Sequence, residues 1–204
     1  PFTADVLVRT GRQLAVDDGK VVFAGVDITG RLVQTAAGPF AGQLHFAGSG
    51  LSGNARLAAE GKYQRADIDA RAHAAKIPGS VDFTIGRAIA TASIVLYDQP
   101  KVLADVQIGD MRYGPTVIES ARAKINYTGG RGTAQALLTG SNGVPFRVAA
   151  NARLAPGDWL VALSGNANGV GFKTGSPAHI TSAHGRYDLA PTLITFDKGR
   201  ARIS

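Results

Sequence analysis

Residues 143–165 read GVPFRVAANARLAPGDWLVALSG, and this stretch indicates which class of fold the chain adopts. Apolar and polar side chains alternate from Val144 to Leu154, which is the period of a strand with one apolar and one wet face. The sequence Pro156-Gly157-Asp158 supplies turn chemistry, and the alternation resumes at Trp159. The stretch therefore predicts a β-hairpin, and the rest of the chain repeats this pattern in weaker forms.

Strand-like segments follow one another along all 204 residues. They recur about every 10–13 residues and are separated by turns rich in Gly and Pro, which is the signal of an all-β protein. Within this pattern we interpret Gly30, Gly42 and Gly140 as strand limits. Residues 52–62, rich in Ala and Leu, are the one segment that could also form a helix, although flanking glycines fit a strand. The sequence predicts an all-β fold with little or no helix.

The low aromatic content bears on the architecture. Aromatic residues make up only 7% of the chain, whereas a closed sandwich of this size concentrates them between its sheets. A long antiparallel meander that curls into an open, β-taco-like groove fits better, because curling hides an apolar face that no helix covers. About 14 strands would give a groove on the order of 65 Å long. We expect one elongated unit over residues 1–204, a segment of a longer chain.

Reaction chemistry is not evident in the sequence. There is no cysteine, and the four histidines lack metal-ligand spacing. Asp67 and Asp69 share a face but alternate with Arg65 and Arg71, which is typical of a salt-bridged solvent face. The net charge of +7 is spread singly along strands, without a nucleic-acid recognition motif. We expect no enzymatic activity, no metal, no cofactor and no nucleic-acid partner.

The apolar positions of the alternating segments are the candidate functional residues. On this basis we predict a lipid-binding groove whose floor carries the bulkier apolar side chains of the pattern. These are Ile68, Val81, Phe83, Ile85, Val106, Ile125, Phe146, Val148, Trp159, Val161 and Leu163. Phe146 and Trp159 would be the positions at which a lipid tail or a constriction is found.

The second half of the chain carries a resemblance to a known family. The similar segments are residues 121–130 (ARAKINYTGG), 132–140 (GTAQALLTG), 143–154, 159–165 and 185–199 (GRYDLAPTLITFDKG). Their order resembles the β-rich segments of the AsmA-like superfamily, which includes the TamB and YdbH families. The resemblance implies a groove that carries phospholipid acyl chains between the inner and outer membranes of a Gram-negative envelope, or that assists outer-membrane biogenesis.

The same resemblance implies a location and partners. It implies a periplasmic segment anchored to the inner membrane through another part of the chain, with inner- and outer-membrane proteins as further partners. Two other classes stay open on the residues alone. The first is a structural or interaction β-domain, such as a β-solenoid passenger or adhesin, although the turn spacing drifts. The second is a carbohydrate-active β-helix enzyme, although paired carboxylates and aromatic platforms are not evident.

Overall fold

Seventeen strands follow one another along the chain in the computed structural model, which describes residues 2–77, 83–183 and 185–203. Within these ranges no residue is helical, and the all-β prediction is confirmed. The strands are β1 (Phe2–Arg9), β2 (Ala15–Phe23), β3 (Val26–Gln34), β4 (Phe40–Gly48), β5 (Leu51–Glu60), β6 (Tyr63–Ile77), β7 (Phe83–Val95), β8 (Lys101–Tyr113), β9 (Thr116–Thr128), β10 (Arg131–Asn142), β11 (Val144–Ala155), β12 (Asp158–Ala167), β13 (Val170–Thr174), β14 (Ala178–Ala183), β15 (Arg186–Leu189), β16 (Thr192–Phe196) and β17 (Gly199–Ile203).

All of these strands belong to one antiparallel sheet. From β1 to β12, each strand pairs with the next one in sequence. Strands β13 and β14 then lie end to end along β12. On their other side, β13 pairs with β16 and β14 with β15, and β16 pairs in turn with β17. In the described part of the chain, β1 pairs with β2 alone and β17 with β16 alone. The sheet is therefore an open meander with two free edges.

The sheet forms a single layer without a conventional core. Its accessible surface is 13211 Å², whereas a compact monomer of 21.1 kDa would expose about 9,000 Å². Among the described residues no large side chain is fully buried, and the buried apolar set is small. Its members are Ala15, Ala72, Ala75, Val95, Ile118 and Ala178. The excess surface follows from the fact that no second layer packs on the sheet.

The two faces of this single layer differ in exposure. Leu137 and Leu138 are successive residues of β10 and point to opposite faces. Leu137 is 50% exposed, whereas Leu138 is half-buried. The same alternation of half-buried and exposed residues runs through β3, β5 and β10. Because no layer covers the sheet, the lower exposure of one face means that the sheet curls around it, which confirms the predicted open groove.

A line of unpaired residues crosses four neighbouring strands, and we call it the bulge row. It consists of Ala74, Gly86, Asp110 and Glu119, which the pairing of β6, β7, β8 and β9 skips. Ala74 and Asp110 adopt left-handed φ angles of 47° and 56°. An extra residue in a strand resets the alternation of its side chains. As a result, Ile85 and Ala88 lie on opposite sides of the bulge row but on the same half-buried face.

The predicted hairpin at residues 143–165 is confirmed, whereas the predicted strand boundaries at several glycines are wrong. Strand β11 ends at Ala155, Pro156 and Gly157 form the turn, and Leu154 pairs with Trp159. Residues 51–60 form strand β5, so the helical alternative for this segment was wrong.

Three glycines that we interpreted as strand limits instead lie inside strands. These are Gly30 in β3, Gly42 in β4 and Gly140 in β10. Sequence alone treats glycine as a turn signal. In this sheet each of the three faces a neighbouring strand at very close range, which only a residue without a Cβ permits.

Candidate functional site

The half-buried face of the sheet is composed of apolar side chains arranged in rows that cross the strands. We call it the apolar face and the opposite one the polar face. One central row contains Ile68, Ala92, Ala104, Ile125, Ala134, Ala152 and Val161. The adjacent row contains Ala70, Ala90, Val106, Ala123, Ala136, Ala150 and Leu163. The sheet therefore presents continuous hydrocarbon along the groove, perpendicular to the strands.

Register places the described members of the predicted floor on this one face. Ile68, Ile125 and Val161 share the first row, and Val106 and Leu163 share the second. The prediction for Val81 lies outside the described residues.

The remaining predicted residues lie at the margins of the groove. Phe146 and Ile85 belong to a row on the far side of the bulge row, which runs through Met111, Ile118 and Gly140. Phe83 is on the same face and packs edge to face against Tyr113, with 6.0 Å between ring centroids. Val148 and Trp159 lie on the apolar face of β11 and β12, and the Trp159 ring lies 5.5 Å from that of Tyr187.

The predicted floor residues did not include any of the alanines that form most of the two central rows. Alanine is a weak hydrophobic signal, so the prediction favoured the bulkier residues. The available signal was the strict alternation of Ala66, Ala70 and Ala72 in β6. Side chains on the inside of a curled sheet converge, so small residues are the ones that fit there. The central part of the groove is therefore lined by small side chains that present methyl groups.

Ion pairs within a strand and between neighbouring strands are found on the polar face. Arg65 Nε donates to Asp67 Oδ2 at 2.9 Å, which is the contact expected from their alternation. Asp105 accepts from Lys124 at 3.1 Å and from Arg122 at 3.4 Å. Five residues carry these contacts, and all are partly exposed, so each pair contributes little to stability.

These contacts perturb two carboxyl groups. A hydrogen bond from Ser93, and then one from Arg65, holds the pKa of Asp67 below its ordinary value of 3.8. The pKa of Asp105 is lowered chiefly by Lys124, its cross-strand partner. Both carboxylates are therefore charged at neutral pH and engaged by neighbouring groups, so neither is poised as a general acid or base.

A cleft of about 590 Å³ lies between polar side chains of β6 to β10. Its walls include Asp67, Asp105 and Lys124, together with Asn126 and Gln135. Asp67 pairs with Arg65 and Asp105 with Lys124, and Asp69 lines the cleft as a further carboxylate. The cleft is thus a gap in a salt-bridged surface, and its chemistry does not select a particular ligand.

Clusters of metal-binding side chains are not assembled on the described part of the sheet. No group of three or more His, Cys, Asp or Glu side chains within residues 2–77, 83–183 and 185–203 could hold a metal ion. His179 Nε2 lies 2.6 Å from Asp158 Oδ1, and His45 contacts Asn54 at 3.0 Å, both at exposed positions. His184 lies outside the described residues.

Comparisons with known proteins do not identify the chain. Among the described residues, no helix is long and apolar enough to cross a membrane. No protein-family model, no curated protein and no solved structure matches this sequence or fold.

Proposed function

We propose that this protein is a periplasmic module that binds phospholipid acyl chains along its apolar face and shields them from water between the inner and outer membranes. The proposal is carried by one observation: the apolar face is continuous across the strands, and no layer of the described protein covers it. Each methylene transferred from water to such a surface is worth about 0.8 kcal/mol. An acyl chain is a ligand that consists of such methylenes, so its chemistry matches that of the apolar face.

The distribution of charge supports a guest that is held by its tail. The side chains of the central rows are hydrocarbon, so they cannot distinguish one head group from another. The ionic groups of Asp67, Asp105 and Lys124 lie on the other face. We therefore expect binding of several phospholipid classes with similar affinity. The resemblance of residues 121–199 to AsmA-like segments supports the periplasmic location and the anchoring of the full chain to the inner membrane.

Site-specific photocrosslinking tests the proposal. A photoreactive diazirine amino acid replaces Leu138 on the apolar face or, as the matched control, Leu137 on the polar face of the same strand. The protein is expressed with its full chain, irradiated in cells and analysed for covalently attached lipid. We expect lipid on the Leu138 variant and little on the Leu137 variant. Equal labelling at the two positions, or none at Leu138, would refute the proposal.

A second candidate function is strand pairing with another β-protein, as in outer-membrane assembly. In the described part of the chain, β1 pairs with β2 alone. Val6, Leu7 and Val8 on this strand are 41%, 64% and 52% exposed. An unpaired edge offers main-chain donors and acceptors to an incoming strand. A crosslink from Leu7 to protein, together with no lipid on Leu138, would favour this function over lipid binding.

A further inference from the structure

Several rings on the apolar face lie opposite a glycine of the adjacent strand. Phe46 pairs with Gly53, Tyr127 with Gly132, Phe146 with Gly140, and Phe172 with Gly165. A sheet residue and its direct cross-strand partner are the closest pair on a face, so the partner determines how much room a ring has beside it. These four couples are called the glycine–ring pairs.

In each glycine–ring pair the ring occupies the space above the glycine. A Cβ built on Gly140 would lie 3.1 Å from Phe146 Cζ, and one built on Gly165 would lie 2.9 Å from Phe172 Cζ. For Gly132, the nearest ring atom is Cδ2 of Tyr127, again at 2.9 Å. Such distances are too short for an ordinary contact. The rings therefore lean over the strand next to them, in volume that any other residue type would fill with its own side chain.

The aromatic residues of the apolar face differ in exposure. The rings of the glycine–ring pairs are half-buried although no layer covers the face. Tyr113 lies on the same face without a glycine partner and is 53% exposed, and Phe196, which pairs with Gly199 but does not lie over it, is 40% exposed. Phe83 and Trp159 also lack a glycine partner but are half-buried beside the rings of Tyr113 and Tyr187. A ring that lies over a glycine is thus held close to the sheet, whereas Tyr113 and Phe196 stand up from it. On the concave side of a curled sheet, standing up means entering the groove.

We infer that the glycines of the glycine–ring pairs are positioning residues that hold the rings down, so that the groove remains wide enough for an unbranched acyl chain to lie along the central alanine rows. This inference rests on the proposed function and specifies its substrate class. Of the two roles expected for Phe146, contact with a lipid tail or a constriction, the inference favours the first, since with Gly140 beside it the Phe146 ring lies aside from the path.

The first test creates a ring in the path without touching any native glycine. Ala136 in β10 lies in a central row, between Ala123 and Ala150. An A136F ring has no glycine to lean over and should obstruct the groove. Adding A150G places a glycine opposite the new ring. The ring can then lean over that glycine, and the groove should be open again. The readout is crosslinking from the diazirine at Leu138 to phospholipid in dioleoylphosphatidylcholine vesicles.

We expect A136F to reduce lipid labelling by about tenfold, the loss that follows when a guest forfeits contact for about two methylenes. The A136F/A150G double variant should recover most of the labelling. The A136F/A149G variant, whose glycine is on the polar face of the same strand, is the control and should remain as weakly labelled as A136F. Equal labelling of A136F and the unmodified protein, or no recovery in the double variant, would overturn the inference. Absence of labelling in the unmodified protein would instead overturn the proposed function.

The second test uses a native pair. G140A should force the Phe146 ring upward and reduce labelling, and G140A/F146A should restore it because the ring is gone. The methyl group of G140A also approaches the main chain of Val117, so the variants are compared by circular dichroism. If the double variant is folded and still unlabelled, Gly140 serves the backbone alone and the inference is wrong for this pair.

Discussion

Truncation of single side chains on the apolar face measures whether the groove is open. Leu163 in β12 and Ile118 in β9 are on the same face and lose comparable volume when replaced by alanine. Ile118 is only 8% exposed, whereas Leu163 is half-buried and borders the groove. In a sealed core, such truncations cost about 2–5 kcal/mol, because the lost transfer free energy adds to the cost of a cavity. We expect Ile118→Ala to fall in that range.

Leu163→Ala should cost much less. Its side chain is already partly hydrated, so only part of the transfer free energy of about 1.5–3 kcal/mol is at stake. Water can enter the space that the truncation leaves, so no empty cavity remains. We expect a loss of about 1 kcal/mol in the free energy of unfolding, measured by urea titration with circular dichroism in lipid-free buffer. If both variants lose the same free energy, the face at Leu163 is covered and the open groove is refuted.

Three further predictions concern the polar face and the turns. Because Lys124 lowers the pKa of folded Asp105, the carboxylate stabilises the fold above its unfolded pKa, and this contribution disappears as the pH falls through the folded value. The urea midpoint should therefore drop below about pH 4, and less so in Asp105→Asn. Arg65→Ala should leave the midpoint of urea titration nearly unchanged, since the Arg65 side chain is 41% exposed and its ion pair is screened by solvent. Gly48→Ala, at a φ of 139°, should lower the free energy of unfolding by about 1–3 kcal/mol, whereas Gly11→Ala, where a Cβ meets open space, should leave it unchanged.

The fold class and the identity of the apolar face could be predicted from the sequence because both depend on a local period. Alternation in β11 and β12 specifies which side chains share a face, whatever the neighbouring strands do. Residues of the predicted floor as far apart as Ile68 and Val161 therefore fall on one face of the sheet.

The bulge row and the internal glycines could not be predicted in this way, because they depend on contacts between strands. In the sequence, Gly86 resembles a break between two strands. It lies inside β7, however, and the pairing of β7 with β8 skips it together with Asp110. Nothing within β7 itself specifies that β6 and β8 also carry an extra residue at the same level. Likewise, the need for glycine at position 140 arises only because the meander brings the main chain of β9 and the Phe146 ring of β11 close to it.

The small size of the central side chains and the absence of a core have the same physical origin. A sheet that curls around one face brings the side chains of that face together, so the residues there must be small, as Ala90, Ala123 and Ala136 are. Small side chains that line a trough cannot fill the volume they enclose. Curling therefore relieves the apolar face of only part of its contact with water. In the function we propose, the remaining burial comes from the methylenes of an acyl chain, so the curvature that leaves this chain without a core also provides the surface for its ligand.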